Sequence, residues 1–312
     1  MTHNSYDAVV IGGGPAGLQA ALTLGRMHRR VLVLDSGQYR NDPTAHLQNF
    51  ISRDGTAPAE LRAIARDQLA AYSTVEVRDL GADEVKQDGD DFRVALADGT
   101  TVGTRSVVLA TGVRDTLPDK PGLAELFGDV VAHCPYCHGH EFSGTHVGIL
   151  GSAPHVGRVA GLMERIAARI TVFTDGDVLD DETAAKLAGS GVAVRGDLLT
   201  GACRSPLGAR LSFAGGPDEE VGGLFVATAL TQSAPFAEQL GLDLLPSGGI
   251  EVDVFGRTSL PRVYAAGDCA HIAALPMPMA SVLTAAAAGL VAATSCDGDL
   301  LLLVPRLLPT GT

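Results

Sequence analysis

The residues best able to do chemistry in this 312-residue chain are Cys134-Pro135-Tyr136-Cys137, followed at once by His138. Two cysteines separated by two residues can bring their sulfurs together, and a C-x-x-C at a helix start lowers one thiol's pKa, so attacking thiolate exists near neutral pH. This pattern predicts thiol–disulfide exchange. His138, an imidazole with an unperturbed pKa of about 6.5, adds a general acid or base for the leaving thiolate. Two other readings compete. Half a zinc site would need a second C-x-x-C or a spaced His pair to complete the ligands beside His138 and His140, and the sequence supplies neither. Cys-x-x-Cys-His also has the form of a c-type haem attachment site, which needs export and a distal axial ligand. The expectation is therefore catalytic cysteines and no metal, with His133, Tyr136, His140 and Glu141 packing around them. Cys203, Cys269 and Cys296 stand alone, and five cysteines fit no disulfide framework.

A dithiol needs an electron partner, and the N-terminus offers a place for one. Asp7 to Ile11 is a short β-branched run that ends in Gly12-Gly13-Gly14-Pro15-Ala16-Gly17. Helix-forming residues follow to about Met27, then an apolar run from Val31 to Leu34 closed by Asp35. Strand, glycine turn, helix, strand and a terminal acid is the dinucleotide-binding pattern. Gly12 allows the tight turn, Gly14 lets the backbone approach a pyrophosphate, and Gly17 lets helix and strand pack closely. The helix N-terminus supplies unpaired N–H groups and partial positive charge. Pro58 to Tyr72 has helical spacing. Leu80–Val85, Phe92–Leu96 and Thr100–Val102 alternate as a small β-meander, with Asp98-Gly99 as its hairpin turn. Ser106 to Leu109 is a buried strand running into Ala110-Thr111-Gly112. Val263 to Ala266 runs into Gly267-Asp268, and a last helix is expected from about Ala280 to Ala293.

The second half repeats the plan. Val147–Leu150 is a strand, Gly151 to Val156 a turn, Val156 to Ala168 a helix and Ile170–Phe173 the next strand. The expected fold class is α/β, with two Rossmann-like dinucleotide-binding domains of three-layer ββα build. The first would be discontinuous, formed by 1–115 and 248–312, and the second would span 116–247 and carry the C-x-x-C.

Taken together, the glycine turn, Ala110-Thr111-Gly112, Gly267-Asp268 and a C-x-x-C just ahead of the second βαβ unit resemble the low-molecular-weight thioredoxin reductases over nearly the whole chain. The resemblance implies FAD as cofactor, held by Gly12, Gly14, Pro15, Ala16, Gly17, Asp35, Asn49, Ala110, Thr111, Gly112, Gly267 and Asp268. Asp268 would hydrogen-bond the ribityl chain. It also implies that Cys137 faces the flavin, that Cys134 attacks the substrate, and that the protein is a homodimer paired through its FAD domains.

Two departures from that family redirect the function. Thioredoxin reductases usually carry Asp where this chain has His138. The second glycine motif, Gly151-Ser152-Ala153-Pro154-His155-Val156, keeps only its first glycine, and the next strand ends in Thr174-Asp175-Gly176-Asp177, where NADPH-dependent relatives carry basic residues. At about 5 Å and an effective dielectric near 20, one such like-charge pair costs roughly 3 kcal/mol before salt screening. That disfavours NADPH by around a hundredfold, while Asp175 remains a candidate acceptor for the 2′-hydroxyl of NADH. An intact flavin site beside an impaired nicotinamide site resembles the dithiol oxidases that close disulfides in small natural products such as gliotoxin and holomycin. Those enzymes also carry Cys-x-x-Cys-His. The implied reaction oxidises a small-molecule dithiol through Cys134/Cys137 and FAD to O2, yielding H2O2, with His138 moving protons. Ala274 to Met279 is a candidate apolar wall for the substrate. The competing readings are an NAD(P)H-dependent thioredoxin or disulfide reductase, and a flavin-bound sensor without turnover.

The formal charge of −13 and the lack of any basic cluster longer than Arg29-Arg30 argue against nucleic acid and anionic membranes as partners. Residues 1–8 lack the build of a signal peptide. Val282 to Thr294, the longest apolar run, is too short to span a bilayer, so a cytoplasmic protein is expected.

Overall fold

The computed structural model describes residues 5–303. They form two compact units, one of 5–40, 59–114 and 230–303, the other of 41–58 and 115–229.

The first unit is built on a five-stranded parallel sheet of Val263–Ala265, Val107–Leu109, Ala8–Ile11, Val31–Leu34 and Val75–Arg78, in that spatial order. Strands buried on both faces read as continuous apolar runs, and here alternate residues serve opposite cores. Val9, Ile11, Leu32 and Leu34 pack under an antiparallel meander with Val85, Phe92, Val94 and Leu96. Ala8, Val10, Val31 and Val33 pack under the helices Pro15–Arg26 and Val282–Leu303. Sheet, meander and helices make the three expected layers. The meander strands are Ala82–Asp88, Asp91–Leu96 and Thr101–Thr104, with Asp98-Gly99 at a hairpin turn as expected.

The second unit repeats this scheme with Val131–Ala132, Gly223–Val226, His146–Leu150, Arg169–Phe173 and Ala193–Arg195, again all parallel. Val147, Ile149 and Phe225 face the helix His155–Met163, while Leu150, Phe173 and Leu224 face the other core. That other core is roofed by an antiparallel hairpin layer, Leu199–Ser205, Gly208–Phe213 and Glu219–Val221.

The chain returns to the first unit at 229/230, ahead of the expected 247/248, because Phe236, Ala237 and Leu242 are buried in the first unit's core. Residues 41–58 group with the second unit, where Pro43 backs directly onto Gly128; a Cβ on Gly128 would lie 2.6 Å from Pro43 carbonyl atoms.

The last helix is longer than its apolar run. It spans 22 residues, Val282–Leu303, because the acids beyond Thr294 are paired: Asp297 with Arg29 at 2.6 Å, and Asp299 with Arg257 at 2.9 Å and the Tyr264 hydroxyl at 2.7 Å. At that length and composition it is long and apolar enough to cross a membrane, where Val282–Thr294 alone was read as too short. Its Ala285, Gly289, Ala292, Cys296 and Leu300 are buried against the first unit. Gly289 is required there, since a Cβ would stand 2.1 Å from the Ala16 carbonyl oxygen.

Candidate active site

Parallel strands deliver their carboxyl ends to one edge of a sheet, and that edge is where α/β proteins bind ligands. In the first unit Ile11 pairs with Leu34 and Leu109, and Leu109 with Ala265. This register places the Gly12 turn, Asp35, Ala110-Thr111-Gly112 and Gly267-Asp268 along the same edge. Gly12, at φ +121°, lies so close to the Ala110 carbonyl oxygen that a Cβ would be 2.2 Å away. A Cβ on Gly17 would be 1.9 Å from the Gly12 carbonyl oxygen, and one on Gly267 would be 3.0 Å from Ala16 Cβ. Buried Cys269 joins the other two segments, its sulfur 3.3 Å from the Ala266 and 3.6 Å from the Leu109 carbonyl oxygens. Burial pushes that thiol's pKa up, so it stays protonated.

These residues fit a pyrophosphate-bearing dinucleotide. Gly14 caps the helix Pro15–Arg26 at φ −79° with no side-chain cap, and open space lies where its Cβ would be. Pro15 occupies the first helical turn, where its missing N–H costs nothing. Asp35 is buried at the glycine turn and accepts from Gly37 N at 3.0 Å, Tyr39 Oη at 2.6 Å and Arg66 at 2.5 Å. Asp268 is oriented by Arg40 at 2.8 Å. Asn49, by contrast, lies on the 41–58 segment that groups with the second unit; it sits at φ +62° and its N–H donates to Asp54 at 2.6 Å.

In the second unit the redox pair also leaves the carboxyl end of a sheet strand. Val131–Ala132 is the edge strand beside Gly223–Val226, and His133 and Cys134 follow it directly. Cys134 caps the one-turn helix Pro135–His138, and Pro135 at its start sets the chain's direction. Cys134 and Cys137 form a disulfide with Cα atoms 5.3 Å apart. The N–H groups of Cys137 and His138 both donate to the Cys134 carbonyl at 3.1 Å. Gly139 closes the turn where a Cβ would be 2.5 Å from the Pro135 carbonyl oxygen. Tyr136, expected to pack, stands 62% exposed on the turn that joins the two cysteines.

His138 is held by the Gly128 carbonyl, 3.3 Å from Nε2, and by a tilted contact with the Phe142 ring. That carbonyl assigns the proton to Nε2. Nδ1 is then a buried lone pair with no hydrogen-bond partner among the described residues.

The second glycine turn is lined by the unit's own His155, whose ring lies 3.7 Å from where a Gly151 Cβ would be; burial lowers its pKa. Asp175 is paired within the unit. Its two carboxylate oxygens are 2.9 and 2.8 Å from Lys120 Nζ, and one also accepts from Leu199 N at 2.8 Å. Asp177 accepts from Ser152 at 3.1 Å. Asp175 thus closes its strand as expected, with its charge paired by a lysine 55 positions upstream. Lys120, Arg40, Arg66 and His155 are the site-lining residues that motif reading missed. Only His155 lay within a recognised motif.

The chain belongs to the pyridine nucleotide-disulphide oxidoreductase family, whose profile matches residues 6–289. Among curated proteins it is 34% identical to "Thioredoxin reductase tcpT" of Claviceps purpurea, over 96% of this chain and 97% of that protein. It is 33% identical to "Thioredoxin reductase sirT" of Leptosphaeria maculans, over 94% and 93%. Among solved structures it superposes on HlmI with a TM-score of 0.87 at 35% identity, covering 96% of this chain and 94% of that one. It superposes equally, at 0.87 and 31% identity, on an oxidoreductase from Agrobacterium tumefaciens, covering 96% and 99%. The resemblance read from the motifs is thus borne out over nearly the whole length, and with it the coarse activity, a flavoprotein disulfide oxidoreductase.

Proposed function

We propose that this protein is an FAD-dependent dithiol oxidase that closes a disulfide in a small molecule. The observation that carries this reading is the second glycine turn, which keeps only its first glycine, has the His155 ring beside it and is followed by a strand ending in an acid, Asp175, paired to Lys120; this supports a weakened nicotinamide site. The redox pair and its histidine stay intact in the same unit. Electrons that cannot enter from NAD(P)H enter from thiols.

A substrate thiolate attacks Cys134 of the disulfide and expels Cys137 as thiolate. The substrate's second thiol then attacks the mixed disulfide, frees Cys134 and leaves as the closed disulfide. His138 Nδ1 accepts a proton released by the substrate thiols. Bound FAD would supply the two-electron acceptor by which the Cys134/Cys137 dithiol returns to its disulfide, with O2 as the final oxidant and H2O2 as its product. Gly12, Gly14, Pro15, Ala16, Gly17, Asp35, Ala110, Thr111, Gly112, Gly267 and Asp268 of the first unit would hold the cofactor, and Asn49 is proposed as a further contact. Leu275, Pro278 and Met279 line an apolar cleft of about 310 Å3 in the first unit, which supports the 274–279 loop as a substrate wall. Val254, Phe255, Leu283 and Leu290 expose apolar surface on the same unit, consistent with a homodimer, and the reading places the enzyme in the cytoplasm.

The names of the fungal relatives favour a second reading, an NAD(P)H-dependent thioredoxin reductase. Aerobic turnover separates the two. With a small dithiol and no nicotinamide, the oxidase consumes one O2 and forms one H2O2 per disulfide closed, and Cys137→Ser abolishes both. Peroxide-free turnover that requires NADH or NADPH would establish the reductase. Retention of flavin with no turnover of either kind would leave only the sensor reading.

A further inference from the structure

We propose that Gly128 is a positioning residue for the redox pair: its carbonyl, backed by Pro43, anchors the His138 ring at Nε2 and so makes Nδ1 the nitrogen that takes a thiol proton. The proposal rests on the reading of His138 as proton acceptor in thiol–disulfide exchange, and it gives a role to a turn outside the Cys-x-x-Cys-His motif.

That turn is backbone packed on backbone. Leu123 and Leu126 of the short helix Leu123–Leu126 are buried in the second unit, and Phe127 leaves the helix in an extended conformation. Gly128 then takes φ +91°, which glycine adopts without strain. Its N–H donates to the Val131 carbonyl at 2.9 Å, tying the turn to the strand Val131–Ala132 that leads into Cys134. On the other side a Cβ at Gly128 would lie 2.6 Å from the Pro43 carbonyl atoms, so no side chain fits between the two segments. Held in this way, the turn reaches both flanks of the redox motif. The Phe127 ring stacks on His133, just ahead of Cys134, with centroids 5.8 Å apart. The Gly128 carbonyl oxygen lies 3.3 Å from Nε2 of His138, just after Cys137.

A carbonyl only accepts, so Nε2 carries the ring proton and Nδ1 the lone pair. That lone pair is buried without a hydrogen-bond partner among the described residues, and buried polar atoms left unpaired are rare enough to call for a function. Phe142 bounds the ring's other face at 6.4 Å and is itself packed edge-on against Phe225 at 5.4 Å. The last torsion of a histidine is broad, so without the carbonyl the imidazole would turn and its basic nitrogen would have no single place. In the exchange the thiol proton passes to Nδ1 and the sulfur attacks as thiolate. The imidazolium so formed keeps its Nε2–H bond to Gly128.

Nuclear magnetic resonance of flavin-loaded protein carrying isotope-labelled histidine tests the anchor without turnover, with His138 assigned by the signal lost in His138→Gln. Wild type should show a neutral ring protonated at Nε2, with that proton exchanging with water more slowly than those of exposed His140 and giving a cross-peak to the Gly128 methylene. A proton on Nδ1, or an Nε2 proton exchanging as fast as that of His140, would overturn the proposal with no variant needed. Gly128→Ala should lose the slow exchange. In anaerobic bleaching of the flavin by a small dithiol, it should cut the saturating rate at least about tenfold, part of the range lost with an acid–base group, while the half-saturating dithiol concentration stays within about twofold. Gly128→Ala combined with His138→Ala should be no slower than His138→Ala alone, because the glycine acts only through the ring. Losses that multiply would overturn the proposal. Wild type whose flavin no dithiol bleaches would sink the oxidase reading, whereas the wrong ring proton in wild type would sink the Gly128 anchor alone.

Discussion

Replacing Gly14 by alanine separates the cofactor's needs from the fold's. A Cβ built on Gly14 meets nothing within 4 Å, and φ is −79°, a value any residue adopts. Gly→Ala gains about 0.4–1 kcal/mol through the unfolded chain, offset by a similar loss because alanine is a poorer N-cap than glycine, so the apoprotein should melt close to the wild-type temperature. The new methyl nevertheless projects into the space over an uncapped helix N-terminus, where a pyrophosphate would contact backbone N–H groups. Displacing the phosphate from one such N–H forfeits a charge-assisted bond worth roughly 1.5–3 kcal/mol, which is about a ten- to hundredfold rise in the flavin Kd. Fluorescence titration beside a thermal melt of the apoprotein reads both quantities at once. Unchanged flavin affinity would refute the placement of the pyrophosphate, and a large drop in apoprotein stability would refute the claim that the space is empty. Gly17→Ala is the steric contrast, because its Cβ would meet the Gly12 carbonyl oxygen at 1.9 Å; it should destabilise the apoprotein itself.

Three further outcomes follow from the contacts. His138→Ala should retain flavin and slow dithiol turnover by about 10²–10⁴-fold, the usual contribution of a positioned acid–base group; a wild-type rate would show that Nδ1 moves no proton. Tyr264→Phe should cost about 1 kcal/mol by removing one hydrogen bond, and Asp299→Ala about 2–3 kcal/mol by stranding the buried Tyr264 hydroxyl and Arg257, as measured by denaturant unfolding of the apoprotein. Burial lowers the pKa values of His146 and His155, so the unfolded chain takes up protons at them first. Their contribution to stability is full above about pH 6.5 and is lost as pH falls, so the melting temperature should drop between pH 7.5 and 5.5. His146→Gln should flatten that drop, and an equal drop in this variant would exclude His146 as a source.

The sequence revealed most where local rules coincide. Gly12, Gly14, Gly17 and Asp35 were placed by spacing alone, because one backbone turn imposes all four. The strands Ala8–Ile11, Val31–Leu34 and His146–Leu150 were legible as apolar runs because both of their faces are buried. Legibility failed where distant residues decide. The helix Val282–Leu303 continues past Thr294 only because Arg29 and Arg257 neutralise Asp297 and Asp299. The hairpin layer from Leu199 to Val221 has too few alternating apolar residues to stand out, and its Leu199, Leu211 and Val221 are buried only once the sheet lies beneath them. Asp175 looked like an open acid because nothing nearby in sequence names Lys120 as its partner.

Anaerobic titration of the flavin-loaded protein tests the central claim most directly. A small dithiol should bleach the visible flavin band and admitted air should restore it, while NADH and NADPH at the same concentrations leave the band unchanged. Bleaching by either nicotinamide nucleotide, or failure of the dithiol to bleach it, would contradict the account.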